Sequence, residues 1–538
     1  MPVERRPRPS VTERVAAYLG ATRLGRRASR LSAGLHDRTV PKHWTNLFGV
    51  VTAACTFVLF VTGIVLMFFY TPSNEVVTYA GSYAPLHGAE VSKAFDSTMR
   101  VTFEVPGGLV VRQAHHWAAL LLPASVILQM VTIFFTGGFR RPRRGAWVVL
   151  FLVFVSALAA GWSGYALPDD MLSGTGLRIV EGIVLGIPFI GTDISWLLFG
   201  GEFPGSVLAN LYPLHLAVSV ALLGLLLLRG RLWYAQPSPQ FAGPGRTETR
   251  VVGAPLFPNA ARRGLGLGLL VTGILVLIST TVTISPIWLY GPSSPGDASA
   301  GSQPDWYTGF LDGALRLVPP GWEFVWLDRT WTLALLIPLA VVTSGLAVVA
   351  VYPFLEEWIT GDHRDHHILD RPRDTPTRTG IGVAGLLFFG LLWLAGSADL
   401  VAVAFSLTIE TVVATLQVAV LIGPIIAFEL TRRVCLGLQR KDRELVLHGF
   451  ETGRIVRLPG GEYIEVHQAL SDAERQRLAG VVDQKPELLR PDERGRITPA
   501  QRLRARVSRF FFEDRIARPS LPELEAAPAE PPMTRPRR

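Results

Sequence analysis

Eight apolar stretches of membrane-spanning length punctuate the chain, near residues 47–69, 109–135, 147–167, 207–228, 264–290, 331–354, 380–398 and 400–429. One helical crossing of a bilayer core takes about 20 consecutive apolar residues. Each stretch is therefore expected to form a transmembrane helix, and the fold class follows: an all-α membrane protein of eight transmembrane helices. Composition agrees, since 49% of the 538 residues are hydrophobic and the mean hydropathy is +0.32, well above a soluble globular chain. The segments divide the sequence into a basic N-terminal part (1–43), a first set of four helices (44–235), a second set of four (236–431) and a C-terminal extension (432–538).

Basic residues flanking spans stay on the cytoplasmic side, so Lys and Arg counts give the expected orientation. The residues ahead of the first segment carry 10, the turn GGFRRPRRG carries 4, and the loops after the fourth and sixth segments carry 6 and 4, whereas the alternate loops carry 2, 1, 2 and 0. Both termini are thus expected in the cytoplasm, in a multi-pass protein of the cell membrane. The formal charge of +9 reflects this asymmetry and argues for membrane topology rather than a nucleic-acid partner. No apolar core with a small-residue cleavage site precedes the first segment, which is expected to be the first anchor. Cys55 and Cys435 lie in a span and at an inner membrane edge, and no CxxCH occurs. Neither a disulfide nor covalent haem attachment is expected. After the last span the chain turns polar, ending in the Pro-rich, charged EAAPAEPPMTRPRR, whose composition predicts disorder.

Only three histidines fall within the spans: His115 and His116 in RQAHHWAALLLPASVILQM, and His215 in NLYPLHLAVSVALLGLLLLRG. A single histidine at a span end is commonly an interfacial polar group. Here the second and fourth helices run in the same direction and each presents a histidine at its outer end. Two such imidazoles can sandwich a b-type haem without covalent attachment. His116 points about 100° away from His115 around the helix, so one of the two is expected to reach the iron. On the first helix Gly49 and Gly63 stand 14 residues apart on roughly one face, and Gly164 sits in GWSGYALPDD at the outer end of the third. Glycine lets a helix approach a flat macrocycle, although ordinary close helix packing also selects it.

With these residues on the page, the sequence resembles the cytochrome b subunit of cytochrome bc complexes, the quinol:cytochrome c reductases, most closely the actinobacterial form. The resemblance runs from about residue 35 to 470 and is carried by TNLFG, TGIVLMFFYTPS, RQAHHWAA, GYALPDDMLSGTG, IPFIGT, LYPLH, QFAGPGRTE, SAGSQPDWY, YPFLEEWITGD, RPRD, LQRKDRELVLHGFETG and RLPGGEYIEVHQ. It implies a haem-binding four-helix bundle made by the first four helices, with outer-haem ligands at His115 and His215. By the same resemblance Gly63 and Gly164 face the ring, and Arg112 meets a haem propionate. It also implies an outer quinol-oxidation motif at Pro304, Asp305, Trp306 and Tyr307, with Asp305 accepting a proton from the quinol. Many family members carry Glu there, one methylene longer, so a bridging water is a natural expectation. Asp312 and Glu323 are secondary candidates for that proton path. Menaquinol as substrate, Rieske iron-sulfur and cytochrome c subunits as partners, a dimeric complex and a terminal oxidase downstream are further implications of the resemblance.

Three departures fall together. The family holds a second, inner haem through histidines 14 residues after the first on the second helix, and 14 or 15 after the first on the fourth. Here those positions are Gln129, and Arg229 or Gly230. Leu150 stands where the third helix would carry its inner glycine. One bound haem b is therefore expected, at the outer site, with the inner one doubtful and Gly49 the remaining inner feature. Alternatives are a divergent paralogue that binds quinol or partner subunits in an assembly or regulatory role, and a transporter. Against a transporter, Glu410 is the one isolated acid expected deep in a span. His363, His366 and His367 in GDHRDHHILDRPRD are expected in a solvated, partly structural cytoplasmic loop rather than a metal site.

Overall fold

The computed structural model describes residues 36–201, 205–294, 305–479 and 497–513, with isolated positions among 18, 22, 34, 486, 515–517, 519 and 523. Pro304, most of the basic N-terminal part and the Pro-rich end expected to be disordered lie outside the described residues. Eight helices among the described residues are long and apolar enough to cross a membrane. They are α1 (Leu47–Met67), α2 (Gly108–Phe135), α3 (Arg144–Ala166), α4 (Val207–Ala235), α5 (Ala261–Thr281), α6 (Leu333–Thr360), α7 (Pro376–Gly396) and α8 (Ile409–His448).

Helices α1 to α4 pack in sequence, α1 on α2, α2 on α3 and α3 on α4, while α5 closes against α1 and α2. Their shared interior is apolar through the middle of the membrane: Cys55, Ala118, Leu122, Val126, Leu150 and Leu222 are buried together. Pairing of α7 with α8 forms a second unit. On the end expected from the sequence to face outward, called outer below, lies the short helix Gly309–Arg316, and a Cβ on Gly313 would collide with the Leu392 carbonyl of α7. That contact demands glycine, because only its missing Cβ lets the two backbones touch.

Two spans differ from the expected limits. The fifth stops at Thr281 instead of running to 290; extended residues lead through Ser285, at φ 44°, to the short helix Ile287–Tyr290. The eighth is broken: the helix Ala398–Phe405 ends on Ser406 in the left-handed region (φ 53°), and Thr408 then caps α8 by accepting from the Thr411 N–H. Glu410 is consequently exposed in the first turn of α8, where a carboxylate suits the helix dipole, and not deep in a span.

The helix of the last span does not end near 431: α8 continues unbroken to His448. It leads into an antiparallel hairpin, Phe450–Arg457 with Tyr463–Gln468. The later helix Pro499–Phe512, started by a Thr498/Gln501 capping box, returns to the spans. Arg504 donates to the Trp358 carbonyl (2.6 Å), and Thr377 Oγ1 donates to the Phe511 carbonyl (3.0 Å). The extension thus covers the basic-loop end of α6 and α7.

Candidate functional site

At the outer end of the bundle, α2 and α4 bring His115 and His215 opposite one another, with ring centroids 6.5 Å apart and ring planes inclined at 61°. Each ring is held from behind. Thr62 Oγ1 spends its hydrogen on the Val58 carbonyl (2.6 Å), so at 2.9 Å from His115 Nδ1 it accepts the ring N–H. Ser163 Oγ, which donates to the Ala159 carbonyl (2.8 Å), lies 3.1 Å from His215 Nδ1, and the Ala160 carbonyl accepts from the same nitrogen at 3.0 Å. Protons fixed on both Nδ1 atoms leave the Nε2 lone pairs as the available ligands. Two rings bound to one metal at ~2 Å metal–nitrogen distances have centroids about 6 Å apart, so this pair fits a single iron between them.

The glycines serve the rings directly. A Cβ on Gly63 would stand 3.2 Å from His115 Cε1, and one on Gly164 only 2.8 Å from His215 Cε1. Both positions therefore make room for the imidazoles themselves. Arg112, one turn before His115, is buried; its NH2 donates to the Ser285 carbonyl (3.2 Å) and its Nε–H has no partner. A buried guanidinium with a spare N–H matches a propionate carboxylate. Thr62 and Ser163 went unassigned in the sequence, although each immediately precedes a ring-contacting glycine.

A second cluster sits beside the first. Asp305 begins the turn Trp306–Thr308, and Tyr307 OH donates to Asp305 Oδ2 at 2.8 Å. His116 Nε2 lies 3.3 Å from both Asp305 oxygens, which is where the face of α2 turned away from His115 points. The sequence missed this role, since nothing in the spacing of His116 and Asp305 pairs them. Tyr307 is buried against Gly161, where a Cβ would stand 2.5 Å from the phenol oxygen. Burial, with Asp305 adding to it, raises the Tyr307 phenol well above its usual value, so it stays a donor. Asp312 and Glu323 do not join the cluster: Asp312 pairs with Arg316 (2.9 Å), and Glu323 is exposed on the hairpin Glu323–Trp326/Arg329–Thr332.

The inner half is built differently. Arg229 NH2 donates to Gln129 Oε1 at 2.8 Å, Gln129 Nε2 donates to Thr52 Oγ1 at 2.7 Å, and Thr52 Oγ1 is 2.7 Å from Ser125 Oγ. Gln129, Thr52 and Ser125 are buried. A Cβ on Gly230 would meet nothing within 4 Å, and of the two candidate positions on α4 it is Arg229 that reaches across. Leu150 is fully buried in the apolar cluster. A Cβ on Gly49 would lie 3.8 Å from Gln129 Oε1, an ordinary contact, so this packing does not require glycine there.

On the basic-loop side, the histidine loop is more ordered than expected. His366 is 4% exposed and 3.1 Å from Asp362, His363 pairs with Glu357 (2.6 Å), and His367 Nδ1 is 3.2 Å from Arg143. Burial, with Arg140 nearby, pushes His366 down to about 4 and keeps it neutral. Around the loop Arg378 bonds Glu356 and Asp370, and Arg140 pairs with Asp370 (2.9 Å). Among the described residues no group of three or more His, Cys, Asp or Glu could hold a metal ion.

Imidazoles opposed across one half of a helical bundle are an arrangement that can hold a haem. Residues 120–292 match the family model described as cytochrome b(N-terminal)/b6/petB. The chain is 44% identical over 494 residues to the cytochrome bc1 complex cytochrome b subunit of Streptomyces coelicolor, covering 90% of each. It is 44% identical over 445 residues to that of Mycobacterium tuberculosis (81% of this chain, 79% of the relative) and 41% over 437 to that of Corynebacterium efficiens (81% and 80%). A solved chain titled hyperthermophilic respiratory Complex III aligns with a TM-score of 0.56 and 17% identity over 77% of this chain and 100% of its own, a likeness of fold. The chain belongs to the cytochrome b subunit family of cytochrome bc1 complexes.

Proposed function

We propose that this chain oxidises quinol at its outer side as the cytochrome b subunit of a quinol:cytochrome c reductase, with a single haem b held between His115 and His215. The observation that carries the reading is the contrast between two imidazoles spaced for one iron and an inner pair, Gln129 and Arg229, bonded directly to each other. Bound at the outer site, haem b would supply acceptance of one of the two quinol electrons, the other going to the Rieske iron-sulfur partner. Arg112 would hold a propionate with its unpartnered N–H. Asp305 would take the proton of a quinol hydroxyl, with Tyr307 and His116 orienting its carboxylate. Rieske and cytochrome c subunits as partners follow from membership of the bc1 family; a dimeric complex, menaquinol as substrate, a terminal oxidase downstream and cytoplasmic termini complete the reading.

A second reading rests on the same inner chain of hydrogen bonds. From the outer histidines to the inner leaflet is roughly 20 Å, the length of four helical turns, and apolar side chains fill it. A chain that cannot pass electrons inward would serve as a divergent, single-haem paralogue without a complete proton-motive cycle. Haem content of the purified complex tests the main reading: pyridine haemochrome analysis should give one haem b per chain, and a redox titration one step. Two resolved potentials would overturn it.

A further inference from the structure

We propose that Trp393, near the outer end of α7, is a positioning residue for quinol oxidation, a role that deepens the outer-site reading above and rests on it. Its indole N–H donates to the Trp306 carbonyl at 2.8 Å. That carbonyl also accepts the Gly309 N–H that closes the turn Trp306–Thr308. Two donors on one oxygen fix the peptide plane between Trp306 and Tyr307, and with it the direction in which the Tyr307 side chain leaves the backbone. Tyr307 in turn donates to Asp305.

The other side of the turn is pinned by a matching contact, as Trp306 Nε1 donates to the Leu120 carbonyl of α2 (3.2 Å). The motif is thus clamped between α2 and α7 by two indole N–H groups. Close approach at α7 is enforced by glycine: a Cβ on Gly309 would come 3.2 Å from Trp393 Cδ1, and one on Gly396 would collide with the Gly309 carbonyl. Trp393 is 44% exposed, so its ring is only partly packed and the indole N–H bond is a separate contribution. The competing explanation, an interfacial aromatic anchor, needs the ring and not the N–H. Replacing Trp393 by Phe separates the two, since it keeps the ring and removes the donor.

The experiment uses the purified complex with its Rieske partner and follows quinol-driven reduction of the bound haem. Trp393→Phe should lower kcat about three- to ten-fold, the range for one neutral hydrogen bond, with KM, haem content and the haem spectrum unchanged. In an Asp305→Asn background the same substitution should add almost nothing, because its effect passes through that carboxylate. An unchanged kcat, an additive loss in the double variant, or loss of haem would each overturn the assignment, the last two by making Trp393 a general structural residue. Failure of the unsubstituted complex to reduce its haem from quinol would instead remove the outer-site reading itself.

Discussion

At the outer end of the bundle His115 and His215 face one another with centroids 6.5 Å apart; 14 residues further along the same two helices, Gln129 and Arg229 meet at 2.8 Å. Each pair has hydroxyl support from a neighbouring helix. Thr62 and Ser163 stand behind the two imidazoles, and Thr52 and Ser125 continue the inner chain. The outer hydroxyls accept from Nδ1 and so leave a metal-binding lone pair unspent. Inner groups satisfy one another, and a buried polar network with its partners in place has no call for a ligand. Glycine follows the same division, with a Cβ excluded at Gly164, crowded at Gly63 and merely accommodated at Gly49. On the single-haem reading proposed above, changing the ligand positions would be enough to turn one half of the bundle from a cofactor site into helix packing.

The largest effect separating the halves is on haem itself. His115→Ala or His215→Ala should abolish the haem spectrum of the purified complex, since either leaves a single axial nitrogen. His116→Ala should leave the spectrum intact, its ring being turned to Asp305. Retention of haem by both ligand variants, or its loss in His116→Ala alone, would break the comparison at its outer end.

Next in size is the proton acceptor. Asp305→Asn keeps the shape of the side chain and can still accept from Tyr307, but cannot take up a proton. Stopped-flow reduction of the haem by quinol should slow by roughly 10²- to 10⁴-fold, the usual contribution of a general base. The haem spectrum should not change. A rate within a factor of two of the unsubstituted complex would transfer the proton to another acceptor at the outer site.

Much of this was legible from the chain. Hydropathy located all eight spans, because in lipid the apolar length and the backbone's need for internal hydrogen bonds leave one local solution. Helical periodicity put His115 and His116 on different faces, and the family resemblance singled out Gln129, with Arg229 or Gly230, as positions where inner-haem histidines are replaced; that Gln129 and Arg229 bond each other is seen only in the structure. What stayed hidden depends on contacts between distant segments. The His116–Asp305 approach joins residues 189 apart in the chain, and no pattern along either helix announces it. Breaks at Thr281 and Ser406 escaped because continuous apolarity does not report backbone direction; Ser406 adopts positive φ without being glycine. His366 looked solvated because a run rich in His and Asp reads as polar, yet the surrounding arginines and carboxylates bury it.

The smallest expected effect sharpens the inner side. Gln129→Leu removes both the donor to Thr52 and the acceptor for Arg229 while keeping a side chain of similar volume. Thr52 retains its contact with Ser125 and its bond to the Phe48 carbonyl, so it is not left bare. Arg229 loses its Gln129 acceptor, but it lies less than two turns from the end of α4 and its long stem can carry the guanidinium toward the interface. The cost should therefore stay near the lower part of the ~1–3 kcal/mol that a stranded buried polar group exacts. In a chain of this size that corresponds to an apparent Tm lower by about 2 °C or less. Haem content and the rate of quinol-driven reduction should be unchanged, because nothing in the Gln129 chain touches His115, His215 or Asp305. A Gln129→Leu complex that loses half of its haem would mean that Gln129 serves a cofactor, and the inner half would then have to be read as a second site with an unusual ligand.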